Sequence, residues 1–245
     1  MWMKKSLKKI FILLFWLAVW QAASLLIANS LIFAGPIQVI ESLVRLLPTL
    51  EFWKTIFLSL AKIGGGFLLA MVGGSLIGGL SYRFPFLGEL LSPMISLLKT
   101  VPVASFVILA LIWIGSSELS VLVVFVVAFP VIALNVQAGL KNTDWQLIEM
   151  ANVFRIRGWK RFWYFYRPAS APFLVNACRL AVGMSWKAGV AAEVIGVPAF
   201  SIGEQLYQAK IYLETADLFA WTAVVLILSY LCEKLVLAAV QKIVF

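Results

Sequence analysis

Histidine is absent from all 245 residues, which removes the commonest general base and the commonest metal ligand together. Cysteine occurs only at Cys178 and Cys232, each alone in an apolar run, so neither a CxxC metal clip nor a disulfide framework is indicated. Both read as small core residues. The chain has no GxxxxGK-Ser/Thr phosphate loop, no paired carboxylates inside an apolar run, no internal repeat and no low-complexity linker. Nucleotide hydrolysis and acid–base catalysis by this chain are therefore not expected. Charge is scarce as well, at 13% of residues.

Apolar sequence fills the place of what is missing. With 63% hydrophobic residues and a mean hydropathy of +1.00, too little polar surface exists to cover a soluble fold, so the bilayer must be the solvent. A helix needs about 20 apolar residues to cross the hydrocarbon, and on that basis the chain reads as an all-α membrane protein of about six transmembrane helices. The expected spans are Ile10 to Ile27, Ile56 to Leu80, Phe86 to Trp113, Leu119 to Ala138, Pro172 to Ala192 and Leu218 to Val240. The first shares its basic start and apolar run with signal peptides, but the run is long and no clean A-x-A site follows, so a retained helix is expected. In the second, Gly64, Gly65, Gly66, Gly73, Gly74, Gly78 and Gly79 read as a face for close helix packing. Pro93 and Pro102 predict a kinked or broken third span, and Pro130 falls in the middle of the fourth.

Two connecting segments are not fully polar. Pro36 to Leu50 has Ile37, Ile40, Leu43, Val44 and Leu47 at helical spacing, which predicts a short helix lying on the membrane surface. Glu193 to Thr215, interrupted by Gly196, Pro198 and Gly203, is expected to cap or re-enter the mouth of the bundle. The whole chain, 1–245, reads as one domain: an N-terminal helix and surface segment over 1–55, a core over 56–240, and within it a polar loop over 140–168.

Lys and Arg set the orientation. Lys4, Lys5, Lys8, Lys9, Arg83, Lys242 and the six basic residues from Lys141 to Arg167 fall on one side. Arg45, Lys54 and Lys210, among Glu41, Glu51, Glu118, Glu204 and Glu214, fall on the other. The first side is expected to be cytoplasmic, with both termini and the polar loop inside. The net charge of +9 then follows from topology and anionic head groups, and no nucleic-acid surface is needed.

The polar loop, LKNTDWQLIEMANVFRIRGWKRFWYFYRP, holds six of the twenty Lys and Arg residues. Thr143 followed by Gln146 is a capping-box pattern with Asp144 in the first turn, so a short helix should start there. Leu147, Ile148, Ala151 and Phe154 form its apolar stripe, Gly158 is its expected stop, and a second short helix, Trp159 to Tyr166, should end before Pro168. Such a pair can lie at the head groups on Trp159, Phe162, Trp163 and Tyr164, or dock into a groove on a soluble partner. In the docking reading Ala151 allows close backbone approach and Glu149 meets a basic group.

Glu149, Ala151 and Pro168 stand where the permease subunits of ABC importers carry their "EAA" loop: an acid, a small residue two later, and a proline 19 positions after the acid. Arg179 to Gly196, RLAVGMSWKAGVAAEVIG, resembles the fifth span of the subgroup associated with nitrate, sulfonate, taurine and thiamine-precursor uptake. The family's usual glycine six residues after the acid is replaced here by Arg155, with Gly158 three later, and its usual isoleucine and leucine before the proline are replaced by Phe165 and Arg167. The resemblance covers about Ile56 to Val240. It implies the type I importer permease fold and makes 140–168 a cytoplasmic coupling-helix loop with Glu149, Ala151, Gly158 and Pro168 as its ATPase-coupling residues.

The resemblance further implies a multi-pass subunit of the bacterial plasma membrane that is not itself an enzyme. A separate ATP-binding subunit would bind ATP and magnesium, so that this chain holds no cofactor and no metal. An external or periplasmic solute-binding protein would deliver the solute, and a second copy of the chain would complete a two-fold pathway. A small organic or inorganic anion, or a thiamine-type pyrimidine, is the expected cargo. Polar residues inside spans are costly in lipid and are candidates for function. Asn135, Gln137, Lys187 and Glu193 are the candidate pathway residues, whereas Lys62, Lys99 and Arg179 read as span-end groups that snorkel. Lys187, with Ser185 and Trp186 beside it, can meet an anionic or aromatic solute, or pair with Glu193. The alternative function, a stand-alone secondary transporter or channel, calls for coupling-ion ligands and inverted repeats that are not visible.

Overall fold

The computed structural model describes residues 2–27, 29 and 31–244; the side chains of Lys4, Lys5 and Lys9 lie outside the described part. Helix α1, Trp2–Ile27, and α2, Pro36–Leu46, precede the core. The core is α3, Leu50–Arg83; α4, Pro85–Thr100; α5, Val103–Ile114; and α6, Leu119–Lys141. The loop helices α7, Trp145–Val153, and α8, Gly158–Arg161, lead through a π-helical stretch, Phe162–Tyr166, into α9, Arg167–Gly196. Then come α10, Ile202–Ile211, and α11, Thr215–Val244.

The centre of the bundle is α6, packed most extensively against α3 and α9. Its inward face carries Val124, Ala128, Ile132 and Val136, all buried. The glycines of α3 divide along this seam. A methyl group on Gly66 would stand 2.6 Å from the Val121 carbonyl oxygen and one on Gly78 would stand 2.5 Å from that of Ala133, so only glycine lets these two backbones meet. Gly64, Gly65 and Gly79 face open space. The glycine run is thus a packing face on one side of α3 only.

Among the described residues, four helices are long and apolar enough to cross a membrane: Ile10–Ile27 of α1, all of α3, all of α6, and Thr215–Lys242 of α11. Helices α4 and α5 together would be a fifth, bent by 103°. The break falls at Val101 and Pro102, both extended, because proline lacks the donor that would continue α4 and drives the residue before it out of the helical region. Pro93 lies inside α4 without breaking it. Lys99, expected near a span end, instead sits beside this break, and its neighbours Leu98 and Val101 share a crevice with Val126 and Val127 midway along α6.

The remaining expected span is α9, 30 residues long but less apolar than the others. It is wrapped by α3, α5, α6, α10 and α11, so much of its surface is never offered to lipid and small residues suffice there. Helix α1 is the opposite case: none of its apolar window is buried, and it touches the rest mainly through α2 and the start of α11, where the Trp20 ring packs on Phe219. Along α2 the expected stripe splits. Leu43 packs inward with Val39 and Leu46, while Ile37, Ile40, Val44 and Leu47 are exposed, as suits a helix lying on lipid.

Candidate functional site

The loop between α6 and α9 is built from three pieces. Asp144, not Thr143, caps α7: its Oδ1 accepts from the Gln146 N–H at 2.9 Å, while the Thr143 hydroxyl donates back to the Leu140 carbonyl. Both oxygens were available, and the shorter route from Asp144 to its second following amide won. Helix α7 ends on Arg155, at φ +54, with the Ile156 N–H donating to the Ala151 carbonyl and the Arg155 N–H to that of Asn152. This is a Schellman ending, and its left-handed position is the one glycine normally takes. Gly158, expected to stop α7, instead opens α8 at φ +57.

The second loop helix does not end before Pro168. The chain is helical without interruption from Gly158 to Gly196, and the π-helical stretch sits just where Pro168 withholds an amide from the turn before it. A wider turn absorbs that missing hydrogen bond without a kink. The stretch is anchored to α3 through Tyr166, whose ring meets that of Tyr82 edge-on at 5.6 Å, with the two hydroxyls 3.4 Å apart.

Burial divides the loop's residues. Ile148 and Ala151 face inward, Ala151 with no exposed surface. Its small side chain therefore serves contact with this chain itself rather than an exposed docking face. Glu149 is exposed and makes no hydrogen bond or ion pair among the described residues. Around it Trp145, Leu147, Met150, Val153 and Phe154 are exposed apolar groups, with Val153 78% accessible. Pro168 is exposed. Both ends of this exposed apolar helix are fixed, by the Asp144 cap and the Schellman turn.

At the opposite end of the bundle Glu193 is fully buried and joins three helices. Its Oε2 accepts from the Ser59 hydroxyl of α3 at 2.8 Å and from the Gly203 N–H of α10 at 3.2 Å, while Ser59 Oγ accepts from the Ile202 N–H at 2.9 Å. The Glu204 N–H donates to Ser201 Oγ at 3.0 Å. The first free amides of α10 are thus all satisfied, two of them by side chains from other helices, and the carboxylate sits where the helix dipole favours negative charge. A methyl group on Gly203 would lie 2.3 Å from the carbonyl carbon of Glu193, so α10 can approach α9 this closely only through glycine. Sequence reading singled out Glu193 but not Ser59 or Gly203; the Ser201-Ile202-Gly203-Glu204 capping pattern was the available signal.

The four candidate pathway residues do not converge. Asn135 donates to the Val131 carbonyl one turn back, at 2.7 Å, and Gln137 lies beside Gly88 at the start of α4. Glu193 belongs to the helix junction just described. Lys187 does not pair with it; it is exposed on α9 and has no ion pair among the described residues, on the face that also carries Asn176, Gly183 and Ala191. Arg179 is ion-paired with Glu233 of α11 at 3.7 Å.

A family model described as "Binding-protein-dependent transport system inner membrane component" matches residues 66–245. The chain is 28% identical to the taurine transport system permease protein TauC of Escherichia coli (strain K12) over 229 residues, covering 91% of this chain and 82% of that one. It is 28% identical to the nitrate import permease protein NrtB of Synechococcus elongatus over 190 residues, covering 73% of this chain and 68% of that one. Among solved structures, an inward-facing form of the MetNI methionine ABC transporter superposes with a TM-score of 0.55 at 19% identity, covering 77% of this chain and 93% of the matched one; this likeness speaks to the fold alone. With a matched region that runs from the middle of α3 through the polar loop and Glu193 to residue 245, the chain belongs to the binding-protein-dependent inner membrane components of ABC transport systems.

Proposed function

We propose that this chain is the membrane subunit of an ATP-driven importer for a small anion, and that the 140–168 loop transmits the action of a separate ATPase to the spans. The observation that carries this reading is the rigidly ended α7, which holds Glu149 unpaired amid exposed Trp145, Met150, Val153 and Phe154. An exposed apolar helix with fixed ends fits a groove on a partner. In this reading Glu149 contacts the ATPase, Ala151 seats α7 on its own bundle, Gly158 turns the chain into the second helix, and Pro168 marks the π-helical joint to α9. ATP and magnesium are bound by the partner.

The basic loop end faces the cytoplasm, with both termini, and the α2 and α10 end faces the binding protein. Two copies pair about an axis along the pathway. Lys187 supports an anionic cargo: it is a lysine well inside a span, exposed on a face with Asn176, Gly183 and Ala191, and has no ion pair among the described residues. Asn135 and Gln137 lie closer to the cytoplasmic exit, and Glu193 holds the outer end in shape.

The test is co-purification. The tagged chain, expressed with a candidate ATP-binding subunit from its source, retains that subunit, and Glu149→Lys lowers the retained amount at least several-fold without lowering the amount of chain in the membrane. Retention of the ATPase at the parent level by the variant would overturn the loop assignment.

A further inference from the structure

The second half of the loop has a different character from α7. Between Glu149 and Glu193 the chain has no acidic residue, while Arg155, Arg157, Lys160, Arg161 and Arg167 crowd its first part. Arg157 and Lys160 are exposed and have no ion pair among the described residues. Interleaved with them, Trp159 stacks on Trp163 at 5.7 Å, and the Arg167 guanidinium lies over the Trp163 ring at 4.0 Å. Trp159 and Tyr164 are 72% and 68% exposed. From Trp159 on, this aromatic and basic set stands on the same continuous helix as the α9 span, with Arg155 and Arg157 in the turn just before it.

Helical rise fixes its depth. A bilayer with its head groups is roughly 40–45 Å thick, or about 28 residues of helix. Counted inward from Gly196, that distance reaches the start of α9, so the π-helical stretch and α8 lie at the inner rim of the head-group layer. There indole and phenol rings are at home, and lysine and arginine side chains reach lipid phosphates.

We propose that the 157–167 segment is a docking surface for anionic phospholipid head groups, distinct from the ATPase-facing α7. It would hold the loop against the membrane while α7 is pushed by its partner. The inference rests on the loop facing the cytoplasm, as proposed above, and its charge excess is what selects anionic over zwitterionic lipid.

The experiment uses the full chain in detergent, with a fluorescent phosphatidylglycerol as probe and three competitors: phosphatidylglycerol, phosphatidylcholine and glycerol phosphate. Phosphatidylglycerol is expected to compete about tenfold better than phosphatidylcholine, from one or two well-placed charges near the surface. Glycerol phosphate, a head group without tails, should not compete, and its competing as well as the lipid would overturn a membrane source. The double variant Arg157→Gln with Lys160→Gln should lose most of the preference, and Lys160→Arg alone should keep it. That double variant should still retain the ATPase. An unchanged lipid preference together with a lost ATPase would assign the segment to the ATPase face instead and overturn the lipid surface. Loss of ATPase in Glu149→Lys with lipid preference intact would leave both readings standing.

Discussion

Adding one methyl group at Gly203 should loosen the α10 end of the whole bundle. In Gly203→Ala the new carbon would lie 2.3 Å from both the carbonyl carbon and Cβ of Glu193 and 2.4 Å from the amide nitrogen of Val194. These are mostly backbone atoms in the last turn of α9 and cannot swing aside. Helix α10 must therefore retreat by about 1 Å, and such overpacking costs roughly 1–3 kcal/mol. The retreat also stretches the Gly203 to Glu193 and Ile202 to Ser59 hydrogen bonds, now 3.2 and 2.9 Å, and weakening buried hydrogen bonds adds about 1 kcal/mol. A combined loss of about 3 kcal/mol corresponds to a melting temperature lower by roughly 6–12 °C for a chain of this size. Thermal unfolding can be followed with a thiol-reactive dye in a Cys232→Ser background, because Cys178 is fully buried in the fold whereas Cys232 is only half-buried. Gly64→Ala is the control: nothing lies within 4 Å of its new methyl group, and alanine in a helix interior is favoured over glycine by about 1 kcal/mol. If Gly203→Ala melts with Gly64→Ala, the close approach of α10 to Glu193 is wrong.

Other outcomes are equally specific. Arg155→Gly should stabilise the loop by about 1 kcal/mol, since a residue with a side chain at φ +54 is strained by that order, and protease resistance of the 140–168 loop should rise in the variant; greater susceptibility would contradict the Schellman ending. Lys187→Met should lower anion uptake several-fold while chain abundance and ATPase association stay at the parent level; a parallel fall in abundance would make Lys187 structural. In a background lacking Cys178 and Cys232, a cysteine at position 210 should react with an impermeant reagent on intact cells and one at position 160 should not; labelling at 160 would invert the orientation.

Much of the fold is legible in the sequence because long apolar runs have few alternatives to helices. What periodicity cannot see is where a hydrogen bond is closed by tertiary contact. Pro102 breaks its span while Pro93 does not, and both look alike in sequence. Pro168 looks like a helix stop, yet a π-helical turn of Phe162–Tyr166 carries the chain through it. Ala151 is recognisable as a small residue, but whether small means room for a partner or contact with its own bundle depends on which way α7 rolls. Arg155 could not be read as the end of α7, because the glycine three residues later offers the cheaper left-handed turn, which the chain spends on entering α8 instead. Glu193 drew notice as a charge in an apolar run, whereas its partner Ser59 lies 134 residues away and carries no local signal.

The central claim is that this chain forms the path and a separate ATPase drives it. The most direct measurement is uptake of radiolabelled small anions, taurine and nitrate first, into proteoliposomes holding the chain alone, the chain with its ATPase, or both with the binding protein outside and ATP inside. Accumulation only in the complete system, and its loss in Glu149→Lys, is the predicted result. Accumulation by the chain alone, without ATPase or ATP, would contradict the account and mark a stand-alone transporter or channel.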